Sequence, residues 1–191
     1  MESKVPLEIK TRQLIIRVGI PNDAQSVVDL LSRNRQHFSH AMPTWKDENL
    51  KAEMWFNRLI SWQQDFETGS TINLLIWLAD QSKLIGTIGY SNIVRGIFQA
   101  CHLGFKIDKE FEGKGLMSEA LLSTNEYIFE SQNIHRIMAN YRPMNKRSGK
   151  LLKRLGFVEE GFAKDYLFIE GAWRDHILTA LVKKRDNLGL T

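Results

Sequence analysis

Residues 103–131 constrain the fold more than any other stretch. "LGFKI" reads as a strand, "DKEFE" as a short acidic loop and "GKGLMSEALLSTNEYIFESQ" as a helix opened by two glycines; "IHRIMANYR" (134–142) then reads as a strand stopped at Pro143. A strand, a helix and a second strand in this order predict a parallel pair joined by a right-handed crossover. Gly113 and Gly115 stand at the mouth of the helix, although an interior glycine costs about 1 kcal/mol relative to alanine. Glycine is tolerated there when something must approach bare backbone. The first helical turn leaves N–H groups unpaired and carries partial positive charge, so the natural visitor is an anion such as a phosphate or pyrophosphate. On the motif alone, a tight turn with glycines for packing is the alternative. The loop is too short for the GxxxxGK[ST] phosphate cradle and lacks the GxGxxG dinucleotide fingerprint.

The flanking sequence predicts the order β, α, α, β, β, β, α, β, α, β, β, an α/β mixed sheet. "RQLIIRVGI" (12–20) alternates as a strand, and a capped helix follows from Pro21 to Phe38 with Val27, Leu30 and Leu31 on its apolar side. "AMPT" with Trp45 reads as a loop, and Glu48 to Glu67 as a long amphipathic helix ended at Gly69. "TINLLIWLA" (71–79) and "KLIGTIGYSNI" (83–93) form a hairpin through "DQS", with "FQACHLGFKI" (98–107) as the next strand. "NKRSGKLLKRL" (145–155) is a short basic helix capped by Gly156, and two strands turned at Glu170 and Gly171 close the chain. No repeat, low-complexity tract or linker interrupts the 191 residues, so one domain spanning 1–191 is expected.

Charge and cysteine content narrow the class. The net charge is +4 with a sequence pI near 9.2, a mild excess pointing weakly to an acidic partner such as a phosphorylated cofactor or RNA. Cys101 is the sole cysteine, which rules out an intrachain disulfide and favours a reducing compartment; it reads as a small buried hydrophobe. No stretch has signal-peptide or membrane-span character, so a cytoplasmic protein without membrane contact is expected. No metal site is expected.

A second constellation lies in "NYRPMNKRSGKLLKRLGF" (140–157). Asn145 and Ser148, three apart, share one face near the helix start, above the apolar Leu151, Leu152 and Leu155. Lys146, Arg147, Lys150, Lys153 and Arg154 form a cationic outer surface.

"GKGLMSEAL" after "LGFKI", with "NxxSxxLLxxLGF" downstream, resembles the GNAT superfamily of acetyl-CoA-dependent N-acetyltransferases. The segments "SNIVRG.F.AC.LGF.I", "IHRIMANY.P.NKRSG.LL.RLGF" and "EG.AKDYL.I.G.WRDH.LTAL" are similar to its ribosomal-protein alanine N-acetyltransferases. The likeness spans roughly residues 10–182. It implies a mostly antiparallel twisted sheet with helices on both faces and one parallel pair splayed into a V-shaped cofactor cleft. It also implies acetyl-CoA as donor, and as acceptor a protein N-terminal amine, in particular the N-terminal alanine of a small-subunit ribosomal protein. The small ribosomal subunit itself and direct RNA contact are further implied possibilities. The pyrophosphate would rest on N–H groups of Gly113, Lys114, Gly115, Met117 and Ser118, the pantetheine on backbone of Phe105 and Ile107, and its amide region on Asn145. The pattern Gln/Arg-x-x-Gly-x-Gly/Ala is broken by Glu112 and Met117. Glu112 places a carboxylate beside the pyrophosphate, so its side chain is expected to face solvent.

Where related enzymes carry a glutamate in "AExG", this chain has His102, which is the expected general base, with Asp165 and Glu160 as rivals and an unaided amine as a further option. Ser148 or Tyr141 would protonate the leaving thiolate. Each has a structural alternative: a satisfied strand histidine, a helix-packing hydroxyl and a cleft-wall aromatic. Tyr90 reads as core or cleft wall. Trp45, Trp55 and Trp62 are expected to line or support an acceptor groove. A small-molecule amine acceptor, or a ribosome- or RNA-binding accessory role, are the competing functions.

Overall fold

A computed structural model describes residues 7–39 and 50–184. The loop read at 41–44 and Trp45 lie outside the described residues. Eight strands form one sheet in the order β1-β2-β3-β4-β5-β6-β8-β7, with β1 Glu8–Lys10, β2 Leu14–Val18, β3 Ile72–Leu78, β4 Leu84–Val94, β5 Ala100–Ile107, β6 Arg136–Met138, β7 Val158–Ile169 and β8 Ala172–Val182. Every pairing is antiparallel except β5 with β6. The helices are α1 Ala24–Arg33, α2 Arg35–Ser39, α3 Ala52–Thr68, α4 Leu116–Glu130 and α5 Lys146–Arg154.

Strand alternation divides the apolar residues between two cores. Leu14, Ile16 and Val18 of β2 face the larger one, shared with Leu116, Met117, Ala120 and Leu121 of α4 and Leu151 and Leu152 of α5. Ile15, between them, faces Val27, Leu30 and Leu31 of α1 and Trp55 and Leu59 of α3. Helices therefore cover both faces. Trp55 is part of this second core, 7% exposed and edge-on to Trp62 at 5.8 Å, so it joins α3 to α1 and does not line an open groove.

Three elements differ from the sequence reading. β1 went unread because three residues carry no period. The helix read across 21–38 is interrupted at Asn34, whose side chain donates to Leu30 O at 3.0 Å and accepts from Lys109 N at 2.9 Å. The strand read at 134–142 is regular only over Arg136–Met138, although Tyr141 still bridges Ile177 of β8.

The short β6 matters most for the site. β5 and β6 pair only at Ala100↔Arg136, Cys101↔Ile137 and His102↔Met138, while β5 runs on to Ile107. Beyond His102 the two strands part, β6 following β8 and β5 following β4. Backbone N–H and C=O groups of β5 from Leu103 onward thus face a widening gap on that side.

Candidate active site

A cavity of about 580 Å³ opens where the strands part. Phe105, Lys106 and Ile107 of β5 form one wall, the loop and first turn of α4 a second, and Asn145, Ser148 and Leu151 of α5 a third. Seven of the eight residues proposed for the donor, namely Phe105, Ile107, Gly113, Gly115, Met117, Ser118 and Asn145, line it, as does Ser148. Lys114 does not; its ammonium lies 4.8 Å from the centre of the Phe111 ring.

The first turn of α4 has the features an anion site needs. Gly115 is its N-cap at φ +80° and supplies no side-chain acceptor, so the N–H groups of the turn have no capping oxygen. Gly113 has φ +74°, and a Cβ on either glycine would meet no atom within 4 Å. The first-turn carboxylate, Glu119, is drawn away by Thr11 Oγ1 at 2.6 Å and by the backbone and side-chain amides of Gln13 at 2.8 and 2.7 Å. A diphosphate therefore fits a backbone cradle that the side chains of the turn itself leave open.

The loop feeding this turn is anchored by an ion pair whose carboxylate is buried. Asp108, 2% exposed, accepts from Arg33 Nε at 2.6 Å and from Glu110 N at 3.1 Å, while Arg33 also donates to Leu84 O. Burial pushes the Asp108 carboxyl upward, but the Arg33 and Glu110 hydrogen bonds and the Arg33 charge outweigh it and hold it below its ordinary value.

Glu112 does not face solvent. Its side chain is 16% exposed and lines the cavity, with Oε1 3.1 Å from Nε2 of His37 on α2 and Oε2 in direct contact with the Arg147 guanidinium on α5. The Arg147 guanidinium and the His37 imidazole draw the carboxylate inward, and neither is adjacent to it in sequence.

Of the residues proposed for proton transfer, Ser148 lines the cavity while His102 and Tyr141 do not. His102 is the last residue of β5 paired with β6, at the apex of the split. Its neighbours Cys101 and Leu103 face the α4 core, so its side chain, like Gly104 and Lys106, belongs to the opposite face of the sheet. Its Nδ1 is buried without a hydrogen-bond partner among the described residues, and burial lowers its pKa, which keeps the imidazole neutral at pH 7. Tyr141 lies under α5: a Cβ on Gly149 would come within 2.7 Å of its ring, so only glycine lets the helix close there. Burial, with Glu159 adding, raises the Tyr141 pKa and holds the phenol protonated. Asn145 spends its Oδ1 capping α5, accepting from Ser148 N at 3.1 Å.

Of the rival bases, Glu160 pairs with Arg136, at the end of β6 away from the split. Asp165 sits in a β7 bulge at φ +48°, its N–H bonded to Asp175 Oδ1 at 2.9 Å. Tyr90 is fully buried, its hydroxyl 2.8 Å from Thr124 Oγ1 and 2.7 Å from Asn125 Oδ1, a core tie between β4 and α4. Cys101 is likewise buried, its thiol pushed up to about 12 by desolvation.

Two features escaped the sequence reading. Lys106 lines the cavity with its pKa pushed down to about 8, by burial first and by the Arg58 charge second. His176 is 3% exposed, its Nδ1 2.9 Å from Arg174 O, and its ring packs against Tyr166, whose hydroxyl accepts from Asn140 at 3.1 Å. By strand alternation from Met138↔Ala180, Asn140 and His176 share the face of His102. Only the "DH" of "WRDH" marks His176 in the sequence.

Comparison with known proteins bears directly on this geometry. Residues 13–158 match the acetyltransferase (GNAT) domain. The chain belongs to the GNAT acetyltransferase family. It is 43% identical over 180 residues to the ribosomal protein uS5-alanine N-acetyltransferase of Escherichia coli K12, covering 94% of this chain and 93% of that one. The ribosomal-protein-S5-alanine acetyltransferase of Vibrio fischeri superposes with a TM-score of 0.87 at 38% identity, over 92% of this chain and 96% of that one. Mycobacterium smegmatis RimJ, in complex with CoA-disulfide, shares the fold with a TM-score of 0.85 at 23% identity, over 95% of this chain and 88% of that one. The parted β5–β6 pair and the open α4 turn are thus features of a GNAT acyltransferase.

Proposed function

We propose that this GNAT enzyme transfers the acetyl group of acetyl-CoA to a protein N-terminal α-amine, with the N-terminal alanine of a small-subunit ribosomal protein as acceptor. The uncapped first turn of α4, open to the cavity beside the parted strands, is the observation that carries the donor. Likeness to the uS5-alanine enzymes over most of both chains supports the acceptor. A cytoplasmic setting follows from that acceptor, and no described helix is long and apolar enough to cross a membrane. One sheet running from Glu8 to Val182 supports a single domain.

In this reading Gly113, Lys114, Gly115, Met117 and Ser118 hold the diphosphate through backbone N–H groups, and the free edge of β5 at Phe105 and Ile107 pairs with the pantetheine. Asn145 has its amide nitrogen for the pantetheine amides. An N–H of β5 near Phe105 or Ile107 stabilises the oxyanion in this reading. The amine nitrogen bonds to the acetyl carbon, the C–S bond breaks, and one proton passes from the amine while the thiolate gains one. An α-amine with pKa near 8 costs about 1.4 kcal/mol to deprotonate at pH 7, against about 4.6 for a lysine near 10.4, so a modest base suffices. Neutral His102, on the sheet face opposite the α4 core, is that base, and Ser148 or Tyr141 supplies the thiolate's proton.

Thiol release from acetyl-CoA, followed with a panel of amines, tests the reading. Turnover is expected with an Ala-starting peptide and not with the same peptide blocked at its N-terminus, and His102→Ala should lose activity most at low pH. Turnover confined to small amines would refute the protein acceptor, and near-normal His102→Ala activity from pH 6 to 9 would remove that base.

A further inference from the structure

Glu112 lines the same cavity as the first turn of α4, and it is not idle there. Its carboxylate shares the cavity with Gly113, Gly115, Met117 and Ser118, and it joins three separate elements: the α4 loop, His37 of α2 and Arg147 of α5. Arg147 is 67% exposed, so the contact with Glu112 is what holds this long side chain against the mouth of the cavity. An arginine within reach of helix N–H groups is a natural phosphate ligand, because its planar fork matches phosphate oxygens. Here that fork is already engaged by an internal anion.

We propose that Glu112 acts as an internal competitor of the donor's phosphates, neutralising Arg147 in the free enzyme and yielding it when CoA binds. This rests on the acetyl-CoA reading and extends it to a residue that sets donor affinity and CoA release. Two negative groups cannot share one guanidinium and one helix N-terminus without repulsion in a partly desolvated cavity. CoA therefore binds against the Glu112–Arg147 contact, and the returning carboxylate assists departure of the product after each turnover. The retained His37 contact keeps the carboxylate inside the cavity while Arg147 moves.

A double-mutant cycle on CoA affinity, measured by titration calorimetry without acceptor, decides this. Glu112→Gln preserves shape and is expected to tighten CoA on the order of tenfold, to slow its dissociation and to lower KM for acetyl-CoA. Arg147→Gln is expected to weaken CoA only slightly in the wild type and on the order of tenfold in the Glu112→Gln background. Weaker or unchanged CoA binding by folded Glu112→Gln overturns the proposal, the former making the pair a clasp over bound donor. Additive effects of the two substitutions overturn it as well. Wild-type protein that binds no CoA would instead remove the acetyl-CoA reading itself. Thermal unfolding of each variant without CoA confirms that folded species are compared.

Discussion

Lys106 is a partly buried cation near the Arg58 charge of α3, and its pKa falls from 10.5 to about 8. Between those values the unfolded chain holds a proton that the folded one has released, so this residue makes stability rise with pH from about 8 to about 10.5. Below about pH 8 the charged lysine is a standing penalty. Lys106→Met should therefore stabilise the protein at pH 7 by about 2 kcal/mol, allowing for solvent screening, and the gap from wild type should close as the pH passes about 10.5. Urea unfolding of both proteins at several pH values measures the gap, and subtraction cancels the other titrating groups. A gap that stays constant across the range would show that Lys106 is ordinarily solvated. At this scale the sequence was least legible: "FKI" says nothing of burial, and Glu112 reads as a surface acid until His37 and Arg147 are brought to it by the fold.

Among the elements, the corner between α1 and α2 does two jobs. Arg33 closes the ion pair with Asp108, and Asn34 both ends α1 and binds Lys109 N, so the corner braces the loop that presents the α4 turn. Arg33→Met would leave the buried Asp108 carboxylate without its cation, at a cost of about 3–5 kcal/mol. The lowered Asp108 pKa contributes stability that is present above its ordinary value and fades as pH falls through the folded one. Arg33→Met should lose that contribution, giving a lower Tm at pH 7, a flatter stability profile on acidification and weaker CoA binding through the loosened loop. An unchanged Tm at pH 7 would contradict the bracing role. The hairpins, α4 and the β7–β8 pair were readable because period, turn residues and terminal glycines agree locally. The break at Asn34 was not, because the contacts at this corner reach partners 75 residues away. β6 was overread for a related reason: "IHRIMANYR" has strand composition throughout, but its partner strand leaves after Met138.

For the whole molecule, the strand order decides where chemistry can happen. One parallel pair within an otherwise antiparallel sheet means a crossover helix, and its N-terminus falls at the end where β5 and β6 diverge. The glycine pair marked that helix terminus in the sequence, and Asn145 and Ser148 marked the facing helix. What the sequence could not show is the separation between faces, with the cavity beside α4 and α5 and with His102, Asn140 and His176 on the opposite side of the sheet. Binding of CoA to the α4 turn tests this arrangement most directly, with thermal unfolding of wild type and Gly115→Val as the readout. A valine there would have to adopt φ +80° and would project its side chain into the open cradle. At 100 times the dissociation constant CoA should stabilise the wild type by about 2.7 kcal/mol. The same CoA concentration should leave folded Gly115→Val unshifted. Equal shifts for both proteins, or none for the wild type, would contradict the account.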